Sequence, residues 1–189
     1  MNLDLLCFSF CNMTDQLIMF KNLFKSKPQL RIEYIPDVGC KVNLMPINWG
    51  DSRSAIRDQM NYRFKEDNRI IELTDDEDIE LRRDIYQSES GNKYHFILSY
   101  DEKGKLSEIS IHSGAIVIVK GIELQFGKDI DIICTHLNQV GENFIGIEEG
   151  NFLFEDLKLT IANSQSMGGE GNGLDYFYAS KDISHLTEN

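Results

Sequence analysis

The sequence predicts an α+β fold made of two similar halves, each with a strand, one main helix and three further strands in antiparallel sheets. The first observation is a repeat: residues 47–60 and 124–137 share one pattern at a constant offset of 77. The shared pattern is an apolar alternation, a glycine and an amphipathic stretch, which is typical of a strand, a turn and a helix. The second observation is that short apolar alternations bounded by turn residues follow each repeat, which indicates antiparallel strands.

Each half contains one predicted helix. The second-half helix, residues 129–140, places its apolar side chains on one arc: Ile130, Ile133, Cys134, Leu137 and Val140. The first-half helix has a thinner stripe of Ile56, Met60 and Phe64 at i, i+4 and i+8. We therefore expect the first helix to bury less apolar surface than the second.

The helix starts and the strands that follow complete each half. Asp51 or Ser52 is the expected N-cap of the first helix and Asp129 that of the second, because their side chains can accept from free backbone N–H groups. The predicted strands are residues 84–86, 94–100 and 106–111 in the first half, and 152–154, 157–162 and 174–178 in the second. A tight turn at residues 101–104 and a glycine-rich loop at residues 164–173 connect the last two strands of each half.

The chain divides into three stretches: an N-terminal extension at 1–29, the first half at 30–113 and the second half at 114–189. The extension lacks the basic start of a secretory signal and the ~18–20 apolar residues of a membrane span. Met19 opens a sequence typical of a cytoplasmic start. Residues 1–18 are therefore either a wrongly assigned start or a short docking helix.

Charge and cysteine content limit the classes of partner. The net charge of −12 argues against free nucleic acid and against an anionic membrane, because phosphate binding needs clustered Lys and Arg. A basic protein is a compatible partner, although solubility alone also explains an acidic surface. The four cysteines have no zinc-ligand spacing, so we predict no metal and no cofactor. Scattered cysteines suit a reducing compartment, and the predicted location is the cytoplasm.

Residues 66–80 are the most unusual segment, with eight acidic residues against one arginine. The second half has a shorter connection at this point, so the segment is predicted to be an insertion. Its carboxylates could imitate phosphate charge and speed the encounter with a basic protein. The candidate partner-binding residues are Glu72, Asp75, Asp76, Glu77, Asp78 and Glu80. The alternative interpretation is a solvated acidic loop.

These six acidic residues and the strand–helix unit at 122–137, together with the small size and acidic composition, resemble bacterial immunity proteins. The proteins concerned belong to polymorphic-toxin and contact-dependent inhibition systems. The resemblance is one of general character over residues 30–189 rather than of a motif. It implies a non-catalytic protein-binding module that neutralises a basic toxin domain.

Two other functions stay open. The chain has no Gly-x-Ser-x-Gly, Walker loop or dinucleotide fingerprint. A hydrolase-like enzyme would therefore need a site assembled from His95, His112 or His136 with a distant Asp or Glu. A structural or oligomeric accessory protein would use aromatic strand faces as an interface: Tyr94, Phe96, Tyr100, Tyr176 and Tyr178. Ordinary packing of these aromatic side chains is the simpler interpretation.

Overall fold

A computed structural model describes residues 29–74, 77–87 and 94–187 of the chain. The predicted docking helix at residues 1–18 lies outside these residues, as do Asp75 and Asp76. The part of the chain that is described contains thirteen strands and three short helices. The fold is therefore of the α+β type, as expected, with β-structure predominating.

The elements of the fold alternate strands with isolated helices. In chain order they are β1 Leu30–Ile35, β2 Gly39–Val42, β3 Met45–Asn48, α1 Arg53–Met60, β4 Phe64–Thr74, β5 Glu77–Gln87, β6 Tyr94–Tyr100, β7 Leu106–Ile111, β8 Ala115–Val119, β9 Ile122–Gln125, α2 Ile130–Gln139, β10 Ile145–Glu148, β11 Asn151–Phe154, β12 Leu159–Asn163, β13 Leu174–Ser180 and α3 Ser184–Thr187. Within their halves, the helices α1 and α2 are each followed by four strands rather than the predicted three. The additional strands are β4 and β10. The predicted turn and glycine-rich loop do connect β6 to β7 and β12 to β13.

The strands form two sheets. The smaller sheet has the order β3-β2-β1-β8-β9, and the larger has the order β10-β11-β12-β13-β7-β6-β5-β4. The larger sheet joins both halves through the antiparallel pair β7–β13. The smaller sheet contains a parallel pair, β1–β8, in which Ile32 lies opposite Val117. The prediction of purely antiparallel sheets is wrong for this pair, because pairing between distant strands leaves no local signal in the sequence.

Residues of both sheets and both main helices form one hydrophobic core. Tyr34 of β1 is buried in this core, with its ring 5.8 Å from the ring of Phe177 on β13. The Tyr34 hydroxyl donates to the carbonyl of Leu157 at 2.7 Å, which satisfies a polar group inside the core. Cys40 and Cys134 are buried as small apolar residues, and burial raises the pKa of each thiol to about 12.

The two main helices begin where the sequence predicted. Ser52 caps α1 by accepting from the backbone N–H of Ala55, and Asp129 caps α2 in the same way. The end of α1 differs from the prediction, because Asn61 adopts a left-handed conformation with φ of 47° and terminates the helix. Phe64 therefore belongs to β4 rather than to the helical stripe.

Both helix N-termini are attached to the larger sheet by corresponding backbone hydrogen bonds. The backbone N–H of the glycine before each helix donates to the carbonyl of the first residue of a strand. The backbone N–H of the first helical residue donates to a carbonyl in the turn before that strand. In the first half these bonds are Gly50 N to Leu106 O at 2.9 Å and Arg53 N to Gly104 O at 3.0 Å; in the second they are Gly127 N to Leu174 O at 2.8 Å and Ile130 N to Asn172 O at 3.0 Å.

Candidate protein-binding arm

The hairpin of β4 and β5 extends beyond the rest of the larger sheet. Each strand has eleven residues, but β6 pairs only with the last part of β5, beginning at Arg83. In the described part of the chain, residues 68–82 pair only with one another. We call residues 68–82 the arm. The predicted acidic insertion at 66–80 is thus largely this arm, and the alternative interpretation as a loop is wrong because the segment forms strands.

The predicted partner-binding residues lie towards the tip of the arm. On the backbone, Glu72 pairs with Asp78, Glu77 with Thr74, and Glu80 with Ile70. Asp75 and Asp76 lie outside the described residues. The side chain of Glu80 is exposed and accepts from Arg82 at 2.5 and 2.9 Å. The structure therefore places the described acidic positions on two facing strands of one hairpin.

Three exposed isoleucines accompany the acidic residues of the arm. Ile70 is 66% exposed, Ile71 is 41% exposed and Ile79 is 44% exposed. Ile71 pairs directly with Ile79, whereas Ile70 is the neighbour of Ile71 in the strand and points to the opposite face. Sequence reasoning missed these isoleucines. Their signal was the presence of β-branched apolar residues inside an acidic run, since such residues favour strands.

A buried carboxylate lies at the root of the arm. Asp84 is fully buried in β5. Its carboxylate accepts from Arg53 at 2.7 and 3.0 Å, and from Arg57 at 2.6 and 2.8 Å. The hydroxyl of Tyr100 donates to it at 3.2 Å. Two guanidinium groups and one hydroxyl therefore satisfy a charge that burial alone would make costly.

The same two arginines reach the first strand of the hairpin. Arg57 donates to the carboxylate of Glu66 at 2.7 Å, and its guanidinium carbon lies 4.4 Å from the centre of the Phe64 ring. Arg53 donates to the side chain of Asn68 at 2.9 Å. Helix α1 thereby contacts both strands of the hairpin where the arm leaves the sheet. Sequence reasoning missed both arginines, although their i, i+4 spacing puts them on one helix face.

These contacts shift the pKa values of the acidic groups at the root. Burial would raise the pKa of Asp84, but the hydrogen bonds from Arg57 and Arg53 outweigh it and hold the pKa below its ordinary value. The hydrogen bond from Arg57 likewise lowers the pKa of Glu66. On the other face of the hairpin, Arg69 and then Arg83 lower the pKa of Asp67 from 3.8 to about 2. All three carboxylates are therefore ionised at neutral pH.

The histidines considered for catalysis are distributed over separate elements. His112 is half-buried, with its ring 5.0 Å from that of Tyr176, and burial lowers its pKa. His136 lies in α2, and His95 lies in β6 with a side chain that is not described. Two open surface depressions, of about 330 and 560 Å³, contain none of these histidines in their lining.

The aromatic residues considered for an interface between copies fall into two environments. Phe96 and Tyr100 are buried in the core, so they are not available as an exposed interface. Tyr176 and Tyr178 are half-buried, and their rings stack 6.5 Å apart. The alternative of an aromatic interface therefore does not hold for Phe96 and Tyr100, for which ordinary packing was the simpler interpretation.

Comparison with known proteins gives no relative: no family model, no curated protein and no solved structure matches the chain. Among the residues that the structure describes, no group of three or more His, Cys, Asp or Glu side chains could hold a metal ion. In the same residues, no helix has the length and apolar character needed to cross a membrane.

Proposed function

We propose that this chain is a non-catalytic binding protein that engages a basic protein partner through the arm. The observation that carries the proposal is the projection of the arm with three isoleucines exposed among carboxylates. Given the resemblance to bacterial immunity proteins, the partner class that fits best is a basic toxin domain, which the arm would neutralise by binding. An acidic chain attracts such a partner over a distance and speeds the encounter.

The charge and the apolar surface of the arm support different parts of this proposal. Residues 68–82 contain six carboxylates and two arginines, a net charge of −4. Charges at the rim of an interface mainly raise the association rate, whereas desolvated apolar side chains at its centre supply most of the affinity. Ile71 and Ile79, paired on one face of the arm, would form that centre.

We also infer that the two halves are copies of one unit. The four strands β4 to β7 and the four strands β10 to β13 occupy mirrored places in the larger sheet. The central pair β7–β13 is consistent with a two-fold axis through the facing residues Ser110 and Tyr178. On either side of this axis, Ile109 faces Ala179 and Ile111 faces Phe177. Each half also has a register shift near the end of an equivalent strand. The shift lies between Ser99 and Tyr100 in β6 and between Ala162 and Asn163 in β12.

If the halves are copies of one unit, the arm is an addition to that unit. The counterpart of the β4–β5 hairpin is β10–β11, whose strands have four residues each. Only two residues, Glu149 and Gly150, join the facing positions Glu148 and Asn151. Since the shorter hairpin completes the sheet in the second half, the extra length in the first half has a purpose other than folding.

The first experiment tests the inference that the arm is an addition to a repeated unit. Residues 68–82 are replaced by a two-residue Asn-Gly turn that joins Asp67 to Arg83. If the halves are copies of one unit, the shortened chain should unfold cooperatively with a denaturation midpoint close to that of the full chain. Loss of cooperative unfolding would contradict the inference that the arm is an addition.

The second experiment tests binding with matched substitutions. The full chain is used as bait in the native host, and the captured protein is identified by mass spectrometry. We expect the full chain to capture a basic protein in equal stoichiometry. The double substitution Ile71→Ser with Ile79→Ser should abolish this capture. Ile145→Ser with Ile147→Ser is the control, because these isoleucines are 53% and 42% exposed on β10. Retention of the partner by the chain without its arm would refute the proposed function.

A further inference from the structure

The ion cluster at the root of the arm joins three elements of the first half. Asp84 lies inside the sheet, the two arginines lie on α1, and Glu66 lies on β4. Arg53 additionally donates to the backbone carbonyl of Arg83 at 2.7 Å. Each arginine therefore binds the buried carboxylate and also a side chain on β4: Arg53 donates to Asn68 through Nη1, and Arg57 donates to Glu66 through Nη2, which it shares with Asp84.

The corresponding place in the second half contains no such cluster. The offset of 77 aligns Arg53 with Ile130 and Arg57 with Cys134. Asp84 pairs with Leu98 on β6, and Phe152 pairs with Ile161 on β12. Leu98 and Ile161 lie at the same distance from the register shift in their strands, so Asp84 aligns with Phe152. Ile130 and Cys134 are buried, and the Phe152 ring packs against Phe144 at 5.3 Å. The half without an arm thus uses apolar packing where the half with an arm uses charges.

Stability alone does not account for this difference. Taking charges out of water is costly, and well-packed apolar residues of similar volume often stabilise a protein as well as a buried ion pair does. Guanidinium groups, however, bind in a fixed planar geometry and so impose a direction that apolar contacts do not. A hairpin held in one direction loses less conformational entropy on binding, which raises its affinity for a partner.

We propose that Arg53, Arg57 and Asp84 form a clasp that fixes the arm in one orientation and that the fold itself does not need. This inference rests on the proposed role of the arm, for which the three residues act as positioning residues. Glu66 and Asn68 are the points at which the clasp holds the first strand, and the Arg83 carbonyl and Asp84 are the points at which it holds the second. In the absence of the clasp the arm remains a hairpin but moves about its root.

The test measures backbone order by ¹⁵N relaxation on the full chain without a partner. In the unmodified protein we expect order parameters near ~0.85 for the amides of residues 68–71 and 79–82. A variant built on the second half, with Arg53→Ile, Arg57→Cys and Asp84→Phe, should lower those values below ~0.6. The amides of β6, β7, β10 and β11 should not change, and the denaturation midpoint should be equal or higher.

A second variant keeps the test decisive if the first fails to fold. Glu66→Ala with Asn68→Ala removes the side-chain hydrogen bonds to β4 and leaves the buried cluster intact, and it should lower the same order parameters by a smaller amount. The clasp is refuted if the arm is already mobile in the unmodified protein, if both folded variants leave it ordered, or if order falls equally in β10 and β11. Because the protein is measured alone, these results are independent of whether the arm captures a partner.

Discussion

Removing the charge of Asp84 should destabilise the protein far more than the same change at an exposed ion pair. Asp84→Asn keeps the shape of the side chain but leaves two guanidinium groups without their counter-charge. Breaking a buried ion pair from one side costs about 3–5 kcal/mol. The side chains of Arg53 and Arg57 are 14% and 25% exposed, so water can solvate them in part. We therefore expect a loss of about 2–4 kcal/mol in the free energy of unfolding.

Urea denaturation at pH 7 measures this loss through the fluorescence of Trp49, the one tryptophan of the chain. Its ring packs edge-on at 6.4 Å from Tyr34, so unfolding changes its environment. The control is Glu123→Gln, because Glu123 pairs with Arg31 at 2.5 Å while both side chains are largely solvated, at 42% and 48% exposure. That substitution should leave the midpoint unchanged within error. Equal effects of the two substitutions would refute the argument that burial makes the Asp84 cluster energetically distinct.

Three further predictions concern the core, a turn and pH. Gly39→Ala should cost about 3–5 kcal/mol, because the new Cβ would lie 2.2 Å from the Ile47 carbonyl oxygen at a φ of +137°; urea denaturation measures the loss. Tyr34→Phe should cost about 1–2 kcal/mol by leaving the buried carbonyl of Leu157 without its donor, and a calorimetric midpoint would detect it. The pKa of Asp67 is about 2 in the folded protein and 3.8 as the reference, so its stabilising contribution is complete above about pH 4 and is lost as the pH falls towards 2. A stability profile across that range should become flatter in Asp67→Asn, and an unchanged slope would contradict the assignment.

The sequence predicted those elements in which a local signal agrees with the tertiary structure. The N-cap residues Ser52 and Asp129 mark the helix starts, because their side chains satisfy the free N–H groups of the first turn. Strand β7 was predicted with its observed bounds, Leu106–Ile111, since a tight turn precedes it and its apolar residues alternate. Val140 fits the apolar arc of α2 but is 46% exposed, because the helix ends at the preceding residue.

The arm and its root were beyond local reasoning for two physical reasons. A hairpin with both faces in solvent has no apolar alternation, so residues 68–82 carry the composition of a loop. Pairs within one strand compensate part of their charge, as where Arg82 donates to the carboxylate of Glu80. The arginines of α1 were missed because their partner, Asp84, lies 31 and 27 positions away in sequence. Only the tertiary structure brings such charges together.

The remaining alternative for the acidic segment is that it serves solubility alone. An acidic hairpin kept for solubility would gain from replacing Ile70, Ile71 and Ile79 by charged residues, since exposed apolar side chains favour association. A long edge strand adds to that liability, because its free backbone groups can pair with another chain. In the second half the equivalent edge strand, β10, has only four residues, although Ile145 and Ile147 on it are also exposed. The first half instead has an eleven-residue edge strand that is held at its root by three charged side chains. These features fit the proposed binding surface, whereas solubility accounts only for its charge.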